Sequence, residues 1–346
     1  MRAQQEKVGC IVTGAAGFVG SHLTERLLSL NCAVVGVDDF SSGNRKNMDT
    51  IFNHPAFTFY ERSVAEPGLL AELRERHPGL HCCFHLAAVV SVPYSVAHPE
   101  ETMNLNYRTT ISLLEEAENL NFTKFVFAGS AAEYGDDQRL PLLEGYATEK
   151  TRHLSPYGLS KFLASRRVAA SPIGAALRCF NIYGPRQNPQ SPYSGVISRF
   201  IDLGIEGRPL TIFGDGHQSR DFVHVSDVVE AYLHSAGLTV PPASTVRGVY
   251  NIGIGKATTV LELAELIREL TTNNRQLSFL PVRTGDIRHS VAATEAFFRA
   301  TGWAANISLQ EGLSNTIHWM STHSSRVTPT IPCSRPRLLH GTEPTR

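Results

Sequence analysis

Gly14-Ala15-Ala16-Gly17-Phe18-Val19-Gly20 follows the apolar run Val8–Thr13 directly and opens an amphipathic segment. Glycines between a strand and a helix let the turn and the helix N-terminus approach a phosphate, whose charge the free N–H groups and the helix dipole stabilise. Further along, short β-branched runs alternate with stretches that carry apolar residues at three- and four-residue spacing, as in βαβ units. The sequence therefore predicts an α/β protein built on a doubly wound, Rossmann-like parallel sheet.

The periodicity also predicts where the elements lie. In the first half we predict strands over Val8–Thr13, Ala33–Val37, Phe57–Tyr60, Cys82–Leu86, Lys124–Ala128 and Ala175–Phe180, and helices that include Ser21–Leu30 and Thr102–Glu118. The second half is less regular, with strands predicted over Leu210–Phe213 and Phe222–Val225 and helices over Val260–Leu270, Thr294–Thr301 and Leu309–Met320. We expect a domain over residues 1–181, a smaller lobe over 182–320 that closes over the ligand site, and a mobile tail over 321–346.

Composition limits the partners. The 346 residues contain 32 Lys+Arg and 32 Asp+Glu, so no net charge attracts the chain to nucleic acid or to an anionic membrane. No long apolar run or export signal is visible, and we expect a cytoplasmic protein without a membrane span. The six cysteines show no regular framework and are predicted to be reduced core thiols. His85, His224 and the histidines after residue 320 lack metal-ligand spacing, so we predict no metal site.

Asp38 ends the second predicted strand, about 20 residues after the glycine turn, where an acidic side chain can bind adenosine ribose hydroxyls. A carboxylate there repels a 2′-phosphate, and no arginine follows immediately, so the pattern favours NAD over NADP. Asp39 is equally consistent with a capping or loop acid. The glycine turn and Asp38 together predict that residues 1–181 bind a dinucleotide.

Tyr157 and Lys161 are one helical turn apart on one face of a predicted helix. A free phenol ionises near pH 10, so it is a base at neutral pH only beside positive charges, such as Lys161 and an oxidised nicotinamide. The spacing alone also occurs by chance on surface helices. Ser130 follows the predicted strand Lys124–Ala128 at its carboxyl end, where doubly wound sheets place ligands, although a loop cap is the alternative role.

The chain resembles the extended short-chain dehydrogenase/reductase family, the NAD-dependent sugar epimerases and dehydratases, over about residues 8 to 320. The motifs that carry the resemblance are Gly14–Gly20, Asp38, His85-Leu86-Ala87-Ala88, Ser130 with Tyr134-Gly135, and Tyr157 with Lys161. The resemblance implies that Ser130, Tyr157 and Lys161 form the catalytic group. It also implies NAD contacts from Gly14, Gly17, Phe18, Val19, Asp38, Asp39, Phe40, Ser41, Gly43, Ser63, Val64, Leu86, Ala87, Ala88, Asn106, Ala128, Tyr157 and Lys161.

The segments after residue 177 are similar to those of UDP-N-acetylglucosamine 4-epimerases. This implies that a UDP-sugar contacts Ser91, Ser130, Asn181, Val196, Ile212, Phe213, Arg220, Arg283, Asp286 and Ser290. Asn181, Arg220, Arg283 and Asp286 would hold the UDP, with Ile212 and Phe213 near the uracil. The two arginines suit a diphosphate, which a guanidinium binds with fork-like donors, although each could instead form a structural salt bridge.

Ser290 bears on the choice of sugar. By the same resemblance it falls where epimerases restricted to non-acetylated sugars carry a bulky tyrosine, so a small residue leaves volume for a C2 acetamido group. A surface serine is the alternative. The implied reaction is a transient oxidation at C4 with resident NAD, which interconverts UDP-N-acetylglucosamine and UDP-N-acetylgalactosamine, with UDP-glucose and UDP-galactose as a further candidate pair.

Two rival functions are considered. Dehydratases and decarboxylases of the family carry a glutamate two residues before the tyrosine of the strand-5 motif, whereas here that position is Ala132 and Glu133 is one place late. In an extended chain Glu133 would point to the other side, although a bulge could restore it. A protein that binds NAD or nucleotide sugars without turnover is the other alternative, and the matched set Ser130, Tyr157 and Lys161 argues against it.

Some positions depart from the family pattern. Ser63 stands where an aspartate commonly binds the adenine, Cys179 where a tyrosine is usual, Thr109 where a glycine is usual, and Glu133 where a valine is common. The segment between Lys161 and Arg178 is short by about a helical turn, and Ser171-Pro172 ends it early. In this family that helix helps to form a homodimer. A homodimer is expected here, and whether the shortened helix supports it stays open.

Overall fold

The computed structural model describes residues 8–189, 195–239, 245–282, 285 and 287–323. Its strands are β1 (Gly9–Thr13), β2 (Ala33–Asp38), β3 (Phe57–Glu61), β4 (Leu80–His85), β5 (Lys124–Ser130), β6 (Gly174–Cys179), β7 (Asn181–Tyr183), β8 (Thr211–Phe213), β9 (Ser219–Arg220), β10 (Phe222–His224), β11 (Gly248–Ile252), β12 (Thr258–Thr259), β13 (Ser278–Leu280) and β14 (His289–Ser290). Its α-helices are α1 (Phe18–Ser29), α2 (Leu69–Arg76), α3 (Val92–Ala97), α4 (Pro99–Met103), α5 (Thr109–Asn119), α6 (Pro156–Ala170), α7 (Val196–Ile205), α8 (Val225–Ser235), α9 (Val260–Leu270), α10 (Glu295–Thr301) and α11 (Leu309–His323).

Seven parallel strands form the main sheet, in the order β3-β2-β1-β4-β5-β6-β11. The strand order reverses between β1 and β4, and in open sheets of this kind ligands bind beyond the carboxyl ends of the strands at that point. The predicted α/β, doubly wound sheet is confirmed. The predicted boundary after residue 181 stays a prediction, and β11 from the second half completes the edge of this sheet beside β6.

Helices cover both faces of the sheet. On one face α1 and α8 pack together over a core that includes Val12, Leu27 and Tyr232. On the other face α2, α5 and α6 cover a second core that includes Ile11 and Leu114. Because both faces are buried, the central strands are almost uninterrupted apolar runs, and these made the strands recognisable in the sequence.

The smaller lobe is built from short strand pairs around its own core. β7 pairs with β10, β8 pairs with β13, and β9 lies between β12 and β14. Helices α7, α9 and α11 enclose this core, which includes Phe200, Leu263 and Leu313. The lobe places β9 and β14 beside each other, with Ser290 the register partner of Arg220.

The structure corrects the predicted helix Thr102–Glu118. The chain instead forms α4, then a π-helical turn over Asn104–Arg108, then α5. A π-turn inserts one extra residue per turn, which apolar periodicity does not reveal. This turn contains the buried Asn106, whose side chain amide binds the Val89 backbone.

Other predicted features can be compared directly. Helix α6 ends at Ala170, just before Ser171-Pro172, as expected. Cys10, Cys32, Cys82, Cys83 and Cys179 are buried and free, whereas Cys333 and most of the expected tail lie outside the described residues. Over the described ranges, no helix is long and apolar enough to cross a membrane, and no group of three metal-ligating side chains occurs.

Candidate active site

The glycine turn lies between β1 and α1 at the switch point of the sheet. Gly14 has a φ of +70°, and a Cβ built there would lie 2.9 Å from the backbone N of Ala87. A Cβ at Gly20 would lie 2.0 Å from the carbonyl oxygen of Gly14. The N-cap of α1 is Gly17, so no capping side chain accepts a hydrogen bond from the N–H groups of the first turn, which begins with Phe18 and Val19. The turn therefore fits the pyrophosphate of a dinucleotide.

Asp38 and Asp39 have different surroundings. Asp38 is buried at the end of β2, where its carboxylate accepts the N–H groups of Ala16 at 2.9 Å and Phe40 at 2.8 Å. Burial raises the pKa of Asp38, and these backbone hydrogen bonds oppose the rise. Asp39 is exposed and accepts the N–H of Ser41, so it is a loop acid. Of the two carboxylates, Asp38 is the one fixed against the glycine turn.

The chain beyond Asp38 forms the next part of the predicted cofactor site. Phe40 has a φ of +56° and its ring lies 5.3 Å from Phe59, with the Arg45 guanidinium 4.6 Å above it. Gly43 approaches Asp38 so closely that a Cβ would lie 2.7 Å from Oδ1. This packing holds the loop after β2 around the acid.

Ser63 and Val64 follow β3. The Ser63 hydroxyl accepts the N–H of Ala65, and the Ser63 N–H donates to Glu66. Val64 is buried in the core beneath the loop. The Ser63 side chain thus stabilises its own turn, and an adenine there would meet a short hydroxyl in place of the aspartate usual in the family.

A buried hydrogen-bond relay holds the loop Leu86–Ala88. Thr13 Oγ1 accepts the N–H groups of Leu86 and Ala87 and bonds to His85 Nδ1 at 2.7 Å, while His85 Nε2 bonds to Thr110. Burial lowers the pKa of His85 to about 3, so the ring is neutral. His85 thus has a structural role between two threonines.

Ser130, Tyr157 and Lys161 come together at the carboxyl end of β5. Tyr157 lies in the first turn of α6, and Lys161 lies one turn further along. The Ser130 side chain lies near the Tyr157 phenol and acts to lower the pKa of that phenol. Lys161 Nζ donates to the carbonyl oxygen of Ala128 at 2.9 Å and lies 6.0 Å from the Tyr157 ring centroid. A seryl hydroxyl, a phenol and an ammonium therefore share one site.

Helix α6 can approach this site because of its own sequence. Ser155 caps the helix through the N–H of Gly158, and Pro156 occupies the first turn. A Cβ at Gly158 would lie 2.6 Å from the carbonyl oxygen of Ala132, so only glycine lets the helix pack this closely against the strand end. The residue after Tyr157 thus determines how near Tyr157 can come to Ser130.

Burial dominates the acid–base properties of the pair. It raises the pKa of Tyr157 to about 12, although the Ser130 side chain opposes the rise. It lowers the pKa of Lys161 to about 8, against Glu133 and Cys179, which raise it. Tyr157 is therefore a protonated phenol at neutral pH, and a further positive charge beside it is required before it acts as a base.

The predicted substrate residues lie on several elements. Ser91 is a buried N-cap whose Oγ accepts the N–H of Tyr94, and Asn181 is half-buried on β7. Arg220 is half-buried on β9 and Ser290 is 6% exposed on β14. Ser290 is thus not the surface serine considered as an alternative. Arg283 and Asp286 lie outside the described residues.

The two positions expected near a uracil differ. The Ile212 side chain is fully buried in the core of the smaller lobe, so it offers a ligand only its backbone. Phe213, the next residue, is half-buried and can offer its ring. Val196 begins α7 and packs partly against the same core. The alternation of β8 thus turns Ile212 inward, and the placement of Ile212 and Phe213 near a uracil stays a prediction.

Comparison with known proteins places this site in a family. The family model described as the NAD dependent epimerase/dehydratase family matches residues 10–253. The chain belongs to this family. The predicted resemblance and NAD as the cofactor are thereby confirmed.

Individual members of the epimerase/dehydratase family are similar along most of the chain. UDP-glucose 4-epimerase of Mycolicibacterium smegmatis is 33% identical over 320 residues, covering 91% of this chain and 99% of that protein. The structure of Thermotoga maritima UDP-glucose 4-epimerase with UDP-glucose has a TM-score of 0.82 at 32% identity, covering 91% and 99%. That of Methanobrevibacter ruminantium UDP-N-acetylglucosamine 4-epimerase has a TM-score of 0.83 at 32% identity, also covering 91% and 99%.

Glu133 departs from the family pattern and also from its predicted orientation. The chain after Ser130 is a 3-10 turn over Ala131–Tyr134, so the extended-strand argument is wrong. The turn directs the carboxylate inward, where it is fully buried and lies 2.5 Å from Arg178 Nε. Its hydrogen-bonding capacity is used by the protein itself.

The sequence analysis gave no role to Arg178 or Tyr232. Arg178 lies on β6 in register with Gly129 of β5, and it is 2% exposed. Tyr232 of α8 is fully buried and hydrogen bonds with Cys179, which lies close enough to Tyr157 and Lys161 to affect both electrostatically. The signal available was a charged residue inside the apolar run Ala175–Phe180, since a buried arginine requires a partner.

Proposed function

We propose that this protein is a UDP-sugar 4-epimerase that interconverts UDP-N-acetylglucosamine and UDP-N-acetylgalactosamine. The observation that carries the proposal is the grouping of Ser130, Tyr157 and Lys161 at the carboxyl end of β5, on the same edge of the sheet as the glycine turn that follows β1. The similar epimerases named above support the reaction class. UDP-glucose and UDP-galactose are the candidate second substrate pair.

The chain's own residues divide the work of binding NAD. Gly14, Gly17, Phe18 and Val19 would present backbone N–H groups to the pyrophosphate, and Asp38 would accept the adenosine ribose hydroxyls. Leu86–Ala88, held by Thr13 at Leu86 and Ala87 and by Asn106 at the following Val89, would line the other side of the crevice. When bound, NAD⁺ would supply a reversible acceptor for the C4 hydride and a positive charge that favours the phenolate of Tyr157.

The site residues then handle the proton. Tyr157 takes the proton of the sugar 4-hydroxyl, while Ser130, near the phenol, holds the hydroxyl in line. Lys161, fixed by the Ala128 carbonyl, stabilises the phenolate through its charge. The 4-keto sugar turns over inside the site, and Tyr157 returns the proton after reduction on the opposite face.

The smaller lobe would hold the UDP-sugar. Arg220 would bind the diphosphate, with Asn181, Arg283 and Asp286 completing the UDP site and Phe213 against the uracil. Ser290 lies next to Arg220 across β9 and β14, and it is buried and small. The small side chain of Ser290 supports the proposal that a C2 acetamido group fits beside the diphosphate.

The contacts of the Glu133 carboxylate favour epimerisation over dehydration and decarboxylation. Those reactions need a free acid or base beside the keto sugar. Ala132 occupies the position at which dehydratases carry the glutamate, and the Glu133 carboxylate is committed to Arg178 and to neighbouring hydrogen bonds.

A homodimer and a cytoplasmic location are also part of the proposal. The exposed apolar side chains Val92 and Val96 on α3 and Leu159 on α6 support the homodimer.

The reaction class is tested by running the reaction in D₂O. In 4-epimerisation through a resident cofactor, hydrogen removed from C4 returns to C4, so the product should carry no deuterium there by mass spectrometry and NMR. A 4-keto-6-deoxy product, or deuterium at C5, would identify a dehydratase. The Tyr157→Phe variant is the matched control, because it retains the ring and lacks the proton-transferring hydroxyl.

A further inference from the structure

Glu133 is fully buried directly behind the candidate catalytic serine. It is the third residue of the 3-10 turn capped by Ser130, and Ser130 and Glu133 cap each other. Glu133 Oε1 accepts the Ser130 backbone N–H at 2.9 Å and the Ser165 hydroxyl at 2.7 Å. Oε2 accepts Arg178 Nε at 2.5 Å. Each oxygen therefore has a defined partner.

The partner cation is equally fixed. Arg178 donates to the carbonyl oxygen of Glu144 at 2.8 Å and lies with Nη1 3.4 Å from the Tyr134 hydroxyl. A Cβ at Gly129 would lie 2.8 Å from Glu133 Oε1, so the strand itself is closely packed on the carboxylate. The ion pair thus belongs to rigid elements on both sides and cannot rotate away from Ser130.

Several charged and titratable groups face the catalytic pair of Tyr157 and Lys161. The groups that face Lys161 are Glu133 of the 3-10 turn, Cys179 of β6, His85 of β4 and Tyr157 of the same helix. Tyr157 faces Ser130, Glu133 and Cys179, and Tyr232 from α8. Cys179 is a neutral thiol because burial raises its pKa to about 12, and His85 is neutral. Among these neighbours, Glu133 is the fixed negative charge.

We infer that Glu133 is a positioning residue of the active site, which fixes Ser130 through its backbone and, through its hydrogen bond with Ser165, holds a negative charge one turn of α6 from Lys161. The inference rests on the proposed function. A buried amine would otherwise lose its proton readily, since burial favours the neutral form. Glu133 stands where valine is common in the family, so this device is a property of this chain.

The direct test measures the titration of Lys161 without substrate. The chain has six lysines, so a ¹³Cε-lysine NMR spectrum is simple, and the Lys161→Met variant assigns the signal. Glu133→Gln keeps the shape and removes the charge, and it should shift the Lys161 titration to lower pH by roughly one unit. Ser165→Ala is the matched control, because it removes one Glu133 partner without changing a charge, and the titration should stay in place.

Three outcomes are informative. An unchanged Lys161 titration in Glu133→Gln would show that Glu133 is only a helix cap and would overturn the inference. Glu133→Asp retains the charge and should titrate like the native protein, and it keeps the test decisive if Glu133→Gln does not fold. A Glu133→Asp titration shifted like that of Glu133→Gln would also contradict the inference.

Activity gives an independent readout. For the folded Glu133→Gln protein we expect kcat for epimerisation to fall at least 10-fold with KM nearly unchanged, and the alkaline limb of the pH profile to move to lower pH, because Lys161 then loses its proton earlier. If the native protein epimerises no UDP-sugar, the proposed function fails while the Lys161 titration still decides the electrostatic role. If the native protein is active and Lys161 does not respond to Glu133, only this inference fails.

Discussion

Ser290 and Arg220 are register partners in the parallel pair β14 and β9. Side chains at paired positions of parallel strands project from the same face, so the small buried side chain of Ser290 shares a face with Arg220, whose guanidinium is proposed to hold the diphosphate. Replacing Ser290 with a large ring must therefore fill space on the arginine's face of the sheet. This relationship leads to the substrate prediction.

Ser290→Tyr should reduce kcat/KM for UDP-N-acetylglucosamine by roughly 100-fold and leave UDP-glucose turnover within a few-fold of its native value. The ring would occupy the acetamido volume. Steady-state kinetics with both sugars measure the ratio, and Ser290→Ala is the control that keeps the space open. Equal losses for both sugars in a variant with native Tm would refute the assignment of Ser290.

Tyr157→Phe should lower turnover by about 10²- to 10⁴-fold while the protein folds normally and retains NAD. The ring fills the same space, and only the hydroxyl near Ser130 is lost. Single-turnover assays and thermal unfolding are the measurements. Residual activity close to the native rate would show that another group moves the proton.

Gly14→Ala should weaken NAD binding at least 10-fold, because the new Cβ must be placed 2.9 Å from the Ala87 backbone N at the pyrophosphate turn. Calorimetric titration with NAD measures the effect. Gly68→Ala is a matched control, since Gly68 has a similar φ of +73° with nothing within 4 Å of its Cβ. If Gly14→Ala and Gly68→Ala bind NAD equally well, the close approach of the new Cβ to Ala87 does not weaken binding. Any loss of affinity shared by both variants then comes from backbone strain.

The stability of the protein should depend on pH through Lys161. Its pKa is about 8 in the folded protein, below the ordinary value of 10.5. Between these pH values the unfolded chain binds more protons, so the contribution of Lys161 to the free energy of unfolding rises with pH. The rise should be about 2 kcal/mol between pH 8 and pH 9.5.

Denaturant unfolding of the native protein and Lys161→Met at both pH values isolates this contribution. Lys124 also has its pKa lowered to about 8 by burial, and it remains in both proteins, so the difference between them reports Lys161. If the free energy of unfolding has the same pH dependence in the two proteins, the pKa of Lys161 is not lowered in the folded protein.

The central strands and the glycine turn could be predicted because their pattern is local. β1 and the turn at Gly14 are set by adjacent residues, and the helix Val260–Leu270 was predicted with its observed bounds, which its capping box at Thr259 defines. Strand ends such as Ser130 differed by two residues, since pairing with β6 extends the ladder beyond the apolar run.

What could not be predicted depends on contacts between distant residues. The π-turn at Asn106 is stabilised by bonds to Val89, and no periodicity announces it. The direction of Glu133 depends on Arg178, which lies 45 residues away. The sequence likewise left open whether Asp39 contacts the cofactor or is a loop acid, because its exposure and its hydrogen bond with the Ser41 N–H depend on the folded loop.

The most direct test of the central claim is incubation of the purified protein with UDP-N-acetylglucosamine, without added NAD, followed by anomeric-proton NMR. We expect conversion to UDP-N-acetylgalactosamine up to an equilibrium mixture, because the cofactor undergoes no net change and stays bound. UDP-glucose is run in parallel. No change in either sugar, even after NAD is supplied to a folded protein, would contradict the account.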